Sequence, residues 1–303
     1  MSNHWTKNNF YFFSATLFCA SLCCAAAGCT PSFASASEVT DLRVLAVQAE
    51  PPEAQYDAQG NVEDVHLRIL AVDPARGGFA SMTASLCAPT DSRRCESGPR
   101  FDLPRSTRDQ GTGFKADVPG ALIAPVIAFA RSNDKLKGLN GIRIIFALKV
   151  ADGDPKGPVE ADKILVYSKA GKTPNHNPQL TGFALTINGV AAGAAAADQT
   201  LQLRLGVTYG VRPLLAAGAR EEYDTTDLRG NVVHLRETPA YAFFSTPGAE
   251  FDRDTAYEPV DGVAPPDGLV RLDASRAGEG TIWVVVRDGR GGESWLPISW
   301  TAN

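Results

Sequence analysis

The chain has 303 residues, 44% of them hydrophobic and 21% charged, and carries a formal net charge of -5. That length suits one large domain or two small ones, and the ordinary apolar fraction excludes wholesale disorder. The acidic balance excludes a nucleic-acid binder relying on a basic surface. Four histidines with no catalytic string among them fit poorly with a metalloenzyme or a His-based hydrolase.

Residues 1–28 read as a secretory signal peptide. Lys7 is their only charged side chain and lies in a short polar start. An apolar run over residues 10–27 follows, with Phe12, Phe13, Leu17, Phe18 and Leu22, and it ends in small residues. Those are the three parts of an export signal. A single transmembrane anchor is the competing reading, but no basic stop-transfer cluster follows Cys29. Ala26-Ala27-Gly28-Cys29 resembles a bacterial lipobox, with Ala26 where Leu is usual. The resemblance implies that Cys29 becomes the first mature residue and carries lipid, such as palmitate. A plain signal-peptidase site is the alternative. Two or three acyl chains hold a protein on a membrane where one does not. Thr30, in place of Asp, implies in that family export to the outer membrane.

The cysteines divide along the same line. Cys19, Cys23 and Cys24 fall in the signal and Cys29 takes the lipid, which leaves Cys87 and Cys95. An even remainder in an exported chain predicts one disulfide.

Residues 29–38 are small and polar and suit a flexible tether. Beyond them the chain reads as short strands near residues 42–47, 65–71, 83–86, 114–118, 142–150 and 163–168. Val65, Leu67, Ile69 and Ala71 alternate with His66 and Arg68, the period of a half-buried strand. Residues 121–136 have helical spacing, with Pro125 placed in the first turn, and predict a short helical crossover. Residues 171–179, rich in Pro, Gly and Asn, form the linker candidate. Further strands follow near 180–188, 200–209, 240–245, 268–272, 281–287 and 294–300, with an alanine-rich patch at 190–197. Strands at that spacing predict a mainly β fold of two antiparallel immunoglobulin-like sandwich modules, over residues 39–170 and 180–303. The final hairpin turns at Asp288-Gly289-Arg290-Gly291-Gly292. Trp283 and Val285 share one face of its first strand, Ile282, Val284 and Val286 the other, so that strand is expected to be central. Trp283, Trp295 and Trp300 are core candidates, or else an aromatic platform for a sugar or peptide.

Few constellations carry chemistry. Ser132 and Lys135 have the S-x-x-K spacing of serine acyl-enzymes without the other elements. Gly171-Lys172-Thr173 lacks the preceding glycine of a phosphate loop. Asp252, Asp254, Glu258 and Asp261, with Asp224 and Asp227 near by, supply the oxygen ligands calcium takes, but without the glycine and glutamate spacing of an EF-hand.

Residues 42–52, Asn175-His176-Asn177-Pro178 and residues 286–292, together with the lipobox, resemble a family of predicted lipoproteins from predatory and social delta-group bacteria. The resemblance implies tandem immunoglobulin-like modules and an envelope location, with no activity to transfer. The expectation is a lipid-anchored, non-catalytic binding or structural module of the cell envelope without a cofactor. Its partners would be the membrane and an envelope protein or polysaccharide. A calcium-dependent adhesion module and a hydrolase with a dispersed site are the alternatives.

Overall fold

Alternation builds the strands of this chain, and proline, glycine and Asp-rich turns end them. The computed structural model describes residues 35–76, 80–89, 95, 98–108, 113–136, 138–258 and 269–303. The signal segment, Cys29 and Asp261 lie outside them. The first half holds β1 (Arg43–Glu50), β2 (Glu53–Tyr56), β3 (Val65–Val72), β4 (Ala80–Cys87), β5 (Arg100–Asp102), β6 (Ser106–Arg108) and β7 (Gly113–Val118). Helix α1 (Gly120–Asn133), β8 (Ile142–Ala151) and β9 (Val159–Lys169) complete it. The second half holds β10 (Leu180–Ile187), β11 (Val190–Ala196), β12 (Leu201–Leu203), β13 (Thr208–Leu215), β14 (Glu222–Thr226) and β15 (Val232–Arg236). It continues with β16 (Ala240–Ser245), β17 (Ala249–Phe251), β18 (Thr255–Tyr257), β19 (Val270–Ala274), β20 (Gly278–Arg287) and β21 (Glu293–Ala302).

The fold is mainly β, and its sheets are paired into sandwiches. In the first half a three-stranded sheet, β1-β3-β7, covers a six-stranded one ordered β2-β9-β8-β4-β5, with β6 also on β4. Their shared core holds Leu67, Ile69 and Phe114 from one sheet and Leu86, Phe146, Leu148 and Tyr167 from the other. In the second half β11-β10-β13-β19-β17 faces β12-β21-β20-β16-β18 across Phe183, Tyr241, Phe243, Leu272, Ile298 and Trp300. Among the described residues the named strands pair antiparallel except at two edges, where β2 joins β9 and β12 joins β21 in parallel. The chain leaves the small sheet after β1 and enters the large one at β2, across Pro51-Pro52, where two missing amide donors stop the first ladder.

A third apolar cluster joins the halves. Leu45, Ala46, Leu70 and Val72 on the outer face of the small sheet pack with Ala242, Trp283 and Val285 of the facing sheet. β1 can offer Leu45 and Ala46 to one side because its register shifts between Val44 and Ala46. A bulge there lets two consecutive side chains leave on the same face. Both faces of β20 are apolar because one looks into its own sandwich and the other into the neighbouring one. Residues Ala36–Asn303 accordingly form one unit.

α1 is the crossover between β7 and β8 and buries Ile123, Val126, Ile127 and Ala130 against the first core. It starts at Gly120, whose amide donates to Asp64 Oδ1 at 2.7 Å. A side chain there would meet Val62 O at 1.9 Å, so only glycine fits. Pro125 is therefore the sixth helical residue and not part of the first turn, and the helix ends at Asn133, short of the expected 136. Asp134 leaves the helix and accepts the amides of Leu136 and Gly138, closing a turn instead. The alanine-rich patch, expected as a low-complexity stretch, is an edge strand, β11, paired along β10. Cys87 and Cys95 form the expected disulfide, with Cα atoms 5.3 Å apart. Among the described residues, no helix is long and apolar enough to cross a membrane.

Candidate functional site

Among the described residues, several charged side chains converge on the β20–β21 turn. Asp288 opens that turn and closes it: its Oδ1 accepts the amides of Arg290 at 2.6 Å, Gly291 at 3.1 Å and Gly292 at 2.9 Å. A Cβ on Gly292 would lie 2.0 Å from the same carboxylate, which fixes glycine there. The other oxygen, Oδ2, accepts Asn175 Nδ2 at 3.0 Å. Asp288 is 3% exposed, and burial raises its carboxyl above the usual carboxylate range although these donors and Arg290 oppose the rise.

The turn holds Arg290 out toward three carboxylates from separate parts of the chain. Nη2 meets Glu53 Oε2 of β2, and Nη1 meets both Glu221 Oε2 and Glu237 Oε1, each at 3.2 Å. The guanidinium also lies over the Tyr223 ring, 4.1 Å from its centroid. A planar cation with a fork of donors suits such a site, whereas an ammonium would not bridge three acids and stack at once. Each carboxylate has a second partner. Glu53 Oε1 accepts Ser168 Oγ, Glu221 Oε1 pairs with His176 Nδ1 at 2.5 Å, and Glu237 Oε2 accepts the Glu221 amide at 3.0 Å.

Glu237 is the most deeply placed of the three, its side chain 1% exposed. Burial, together with the charges of Asp288 and Glu221, pushes its pKa up to about 7, against the pull of the Glu221 amide and Arg290. The cause is visible in the geometry. Glu53, Glu221 and Glu237 meet one guanidinium and Asp288 lies beside them, so full ionisation would leave a buried excess of negative charge.

Beside this corner, Glu293 (3% exposed) binds Lys163 Nζ at 2.8 Å through Oε2 and Arg287 Nη2 at 2.7 Å through Oε1. Arg287 also donates to the Leu45 carbonyl, and Asn177 Nδ2 to those of Ala49 at 2.7 Å and to Glu50 Oε2 at 2.8 Å. Side chains of the second half and of the connecting segment thus cover the open edge of β1. Asn177 Oδ1 takes the Glu293 amide, and Asn175 is buried against Asp288. Within the segment over residues 171–179, read as a linker, residues 175–178 are pinned along the seam between the sandwiches. A groove of about 350 Å³ remains between residues 44–47, 161–164 and the turn.

The residues considered from sequence lie elsewhere. Asp252 Oδ1 accepts the Arg271 amide at 2.8 Å, and Asp254 offers its carbonyl to Phe243 N. Glu258 turns inward to Tyr241 OH at 2.7 Å and Arg212 at 3.5 Å. Asp261 is outside the described residues, as is Cys29. Among the described residues, no group of three or more His, Cys, Asp or Glu is placed to hold a metal ion. Asp224 pairs with His234 on the surface, and Asp227 closes the turn after β14. The described histidines each pair with a carboxylate, His66 with Asp117, His176 with Glu221 and His234 with Asp224. Their side chains are 67%, 71% and 65% exposed, so these pairs work in water and not in a desolvated pocket. Trp283 and Trp300 are buried at 5% and 1%, and Trp295 lies half-buried beneath Arg68, whose guanidinium is 5.1 Å from its ring centroid.

The Arg290 corner was not among the residues singled out. Its turn is marked in the sequence by Asp288 and the glycines, and nothing local distinguishes the arginine between them. The strap β14–β15 was also missed, although Asp227, Gly230 and Asn231 repeat the spacing of Asp57, Gly60 and Asn61. Both sets close the same turn, with the Asp amide donating to the Asn carbonyl and the Asn amide to the Asp carboxylate. A turn of that chemistry between two β-branched stretches is a hairpin signal.

No protein-family model matches the chain, and no curated protein matches it by sequence. Among solved structures it is similar to red sea bream transglutaminase at 13% identity and a TM-score of 0.26, over 88% of this chain. The chain spans 32% of the length of that transglutaminase. It is similar to the N-terminal Ig1-2 module of the Drosophila receptor protein tyrosine phosphatase DLAR at 10% identity and a TM-score of 0.23, over 87% of this chain and 99% of that one. The YadV chaperone gives 10% identity and a TM-score of 0.25, over 84% of this chain and 98% of the chaperone.

Proposed function

We propose that this chain is a lipid-anchored module of a bacterial cell envelope that works by binding or spacing and not by catalysis. The observation that carries the reading is the sealed corner at Arg290. Its guanidinium and the carboxylates of Glu53, Glu221 and Glu237 are engaged with one another and with backbone amides, across the seam between the sandwiches. Charged groups committed in this way hold sheets in register; they are not turned toward a substrate. A pair of sandwiches packed sheet face to sheet face and carried on a short tether is suited to presenting a surface near a membrane. The anchor rests on Ala26-Ala27-Gly28-Cys29 and the polar residues that follow.

Labelling the full chain with radioactive palmitate in a bacterial host tests the anchor. The wild type should take up label and sediment with the membrane fraction, and Cys29→Ala should lose both. A Cys29→Ala chain that keeps its label overturns the anchor. Crosslinking in the same cells should then capture an envelope protein or polysaccharide.

A further inference from the structure

The β14–β15 hairpin belongs to neither sandwich. It is a separate two-stranded sheet, Glu222–Thr226 against Val232–Arg236. Two strands alone are marginally stable in water and need something to lie on. The hairpin rises from the second half and lies across to the first. Thr225 Oγ1 donates to Asn140 Oδ1 at 2.6 Å, and a shallow pocket separates residues 226–229 from Leu139 and Asn140. Its base is where the Arg290 corner sits: Glu221 directly precedes β14, Glu237 directly follows β15, and the Glu237 amide donates to the Glu221 carbonyl at 2.9 Å.

We propose that β14–β15 is a strap across the seam between the two sandwiches whose seating takes up a proton at the Arg290 corner, so that the strap tightens in acid and loosens in alkali. The group at the centre is Glu237. Facing it are Arg220 and Glu221 at the strap's own base, Tyr223 on β14, and Asp288 and Arg290 on the β20–β21 turn. Glu53 of β2, itself held by Ser168 of β9, shares Arg290, while His176 of the connecting segment holds Glu221. Lys163, Arg287 and Glu293 form the adjoining ion group. Seated, Glu53, Glu221 and Glu237 share the Arg290 guanidinium, and Asp288 lies close by on the same turn. Unseated, Glu221 and Glu237 return to water, where repulsion between ionised carboxylates is screened.

The sign follows from proton uptake. The folded carboxyl of Glu237 holds its proton up to about pH 7, above the ordinary glutamate value of 4.5. Between those values the seated state binds more protons than the open one, so acid favours seating. The effect is complete below the lower value and lost above the upper one.

Hydrogen exchange on the full chain, followed at residues 222–236 and corrected for the intrinsic pH dependence of exchange, tests this. Protection of the strap should fall on the order of tenfold or more from pH 5.5 to 8.0, one pH unit of linkage being tenfold. Glu237→Gln, which mimics the protonated acid, should keep the protection and lose its pH dependence. Thr225→Ala, which frees the strap's far end from Asn140, should lower protection at both pH values and keep their ratio. Equal strap protection at the two pH values overturns the proposal. So does an unchanged pH dependence in Glu237→Gln, or no effect of Thr225→Ala. Exchange of the strap in step with β16 and β20 also overturns it, because the strap would then open only as the whole chain unfolds.

Discussion

Two of the contacts between the sandwiches use opposite chemistry. Along the seam, Leu45, Ala46, Leu70 and Val72 meet Ala242, Trp283 and Val285 in a dry layer. At the corner, one guanidinium is shared among Glu53, Glu221 and Glu237, with Asp288 close behind it. The dry layer gains from every apolar surface it removes from water and is indifferent to small shifts of register. The corner gains little net energy, since desolvating the ions consumes most of their attraction. It is, however, directional, because each carboxylate oxygen is aimed at a particular donor. The seam therefore supplies adhesion, and the corner supplies register and sensitivity to pH.

Removing the cation should separate the two contacts most sharply. Arg290→Ala leaves a buried set of carboxylates without a counter-charge and should destabilise the chain by about 4 kcal/mol at pH 8, read from urea unfolding. The loss should be smaller at pH 5, where the acids can take up protons instead. A loss equal at both pH values would make Arg290 a packing residue and erase the distinction.

Truncating the seam comes next. Trp283→Ala should cost about 3 kcal/mol through lost burial and the cavity left behind, and the cost should not vary between pH 5 and pH 8. A pH-dependent Trp283→Ala penalty would mean that the two contacts are coupled and not separate.

The smallest effect sharpens the comparison from the corner's side. Glu237 binds its proton more tightly folded than unfolded, so wild-type stability should fall by about 2 kcal/mol as pH rises from 5 to 8. Glu237→Gln should flatten that slope while leaving stability at pH 5 nearly unchanged, measured by the same urea titrations. A slope that survives the substitution would place the titrating group elsewhere, with Asp288 the first to examine.

Much of the architecture was legible because it is written in local patterns. The alternation Val65, Leu67, Ile69, Ala71 against His66 and Arg68 appears as β3 with those four buried and those two exposed. Cysteine parity gave the Cys87–Cys95 bond. The Asp-Gly and Gly-Gly steps marked the last hairpin, where Gly289 and Gly291 hold φ of 86° and 117°. Alanine composition hid β11 because small side chains carry no periodic signal, and its strand character comes from pairing with β10. Helix α1 was found, but its end was not, because Asp134 competes for backbone amides in a way that apolar spacing does not register.

The candidate site was much less legible. The acidic stretch from Asp252 to Glu258 drew attention because its residues are close in sequence, yet their side chains separate, one to a backbone amide and one to Tyr241 and Arg212. Arg290 drew none, since Glu53, Glu221 and Glu237 lie 237, 69 and 53 positions from it in the chain.

By itself, then, the amino-acid sequence determined most of the long strands, the last hairpin turn, the disulfide and the mainly β class, because each follows from residues a few positions apart; it did not separate β12 from β13, which it joined in one strand at 200–209. It also showed that β20 is apolar on both faces. Only the tertiary structure decided what covers the second face, and which acids Arg290 would meet. Hydrophobic burial is non-directional, so an apolar face specifies that it will be covered without naming its cover. The charged corner follows from that choice only in part: the β14–β15 hairpin brings Glu221 and Glu237 together within the second half, and stacking the sandwiches adds Glu53 to the Arg290 cation.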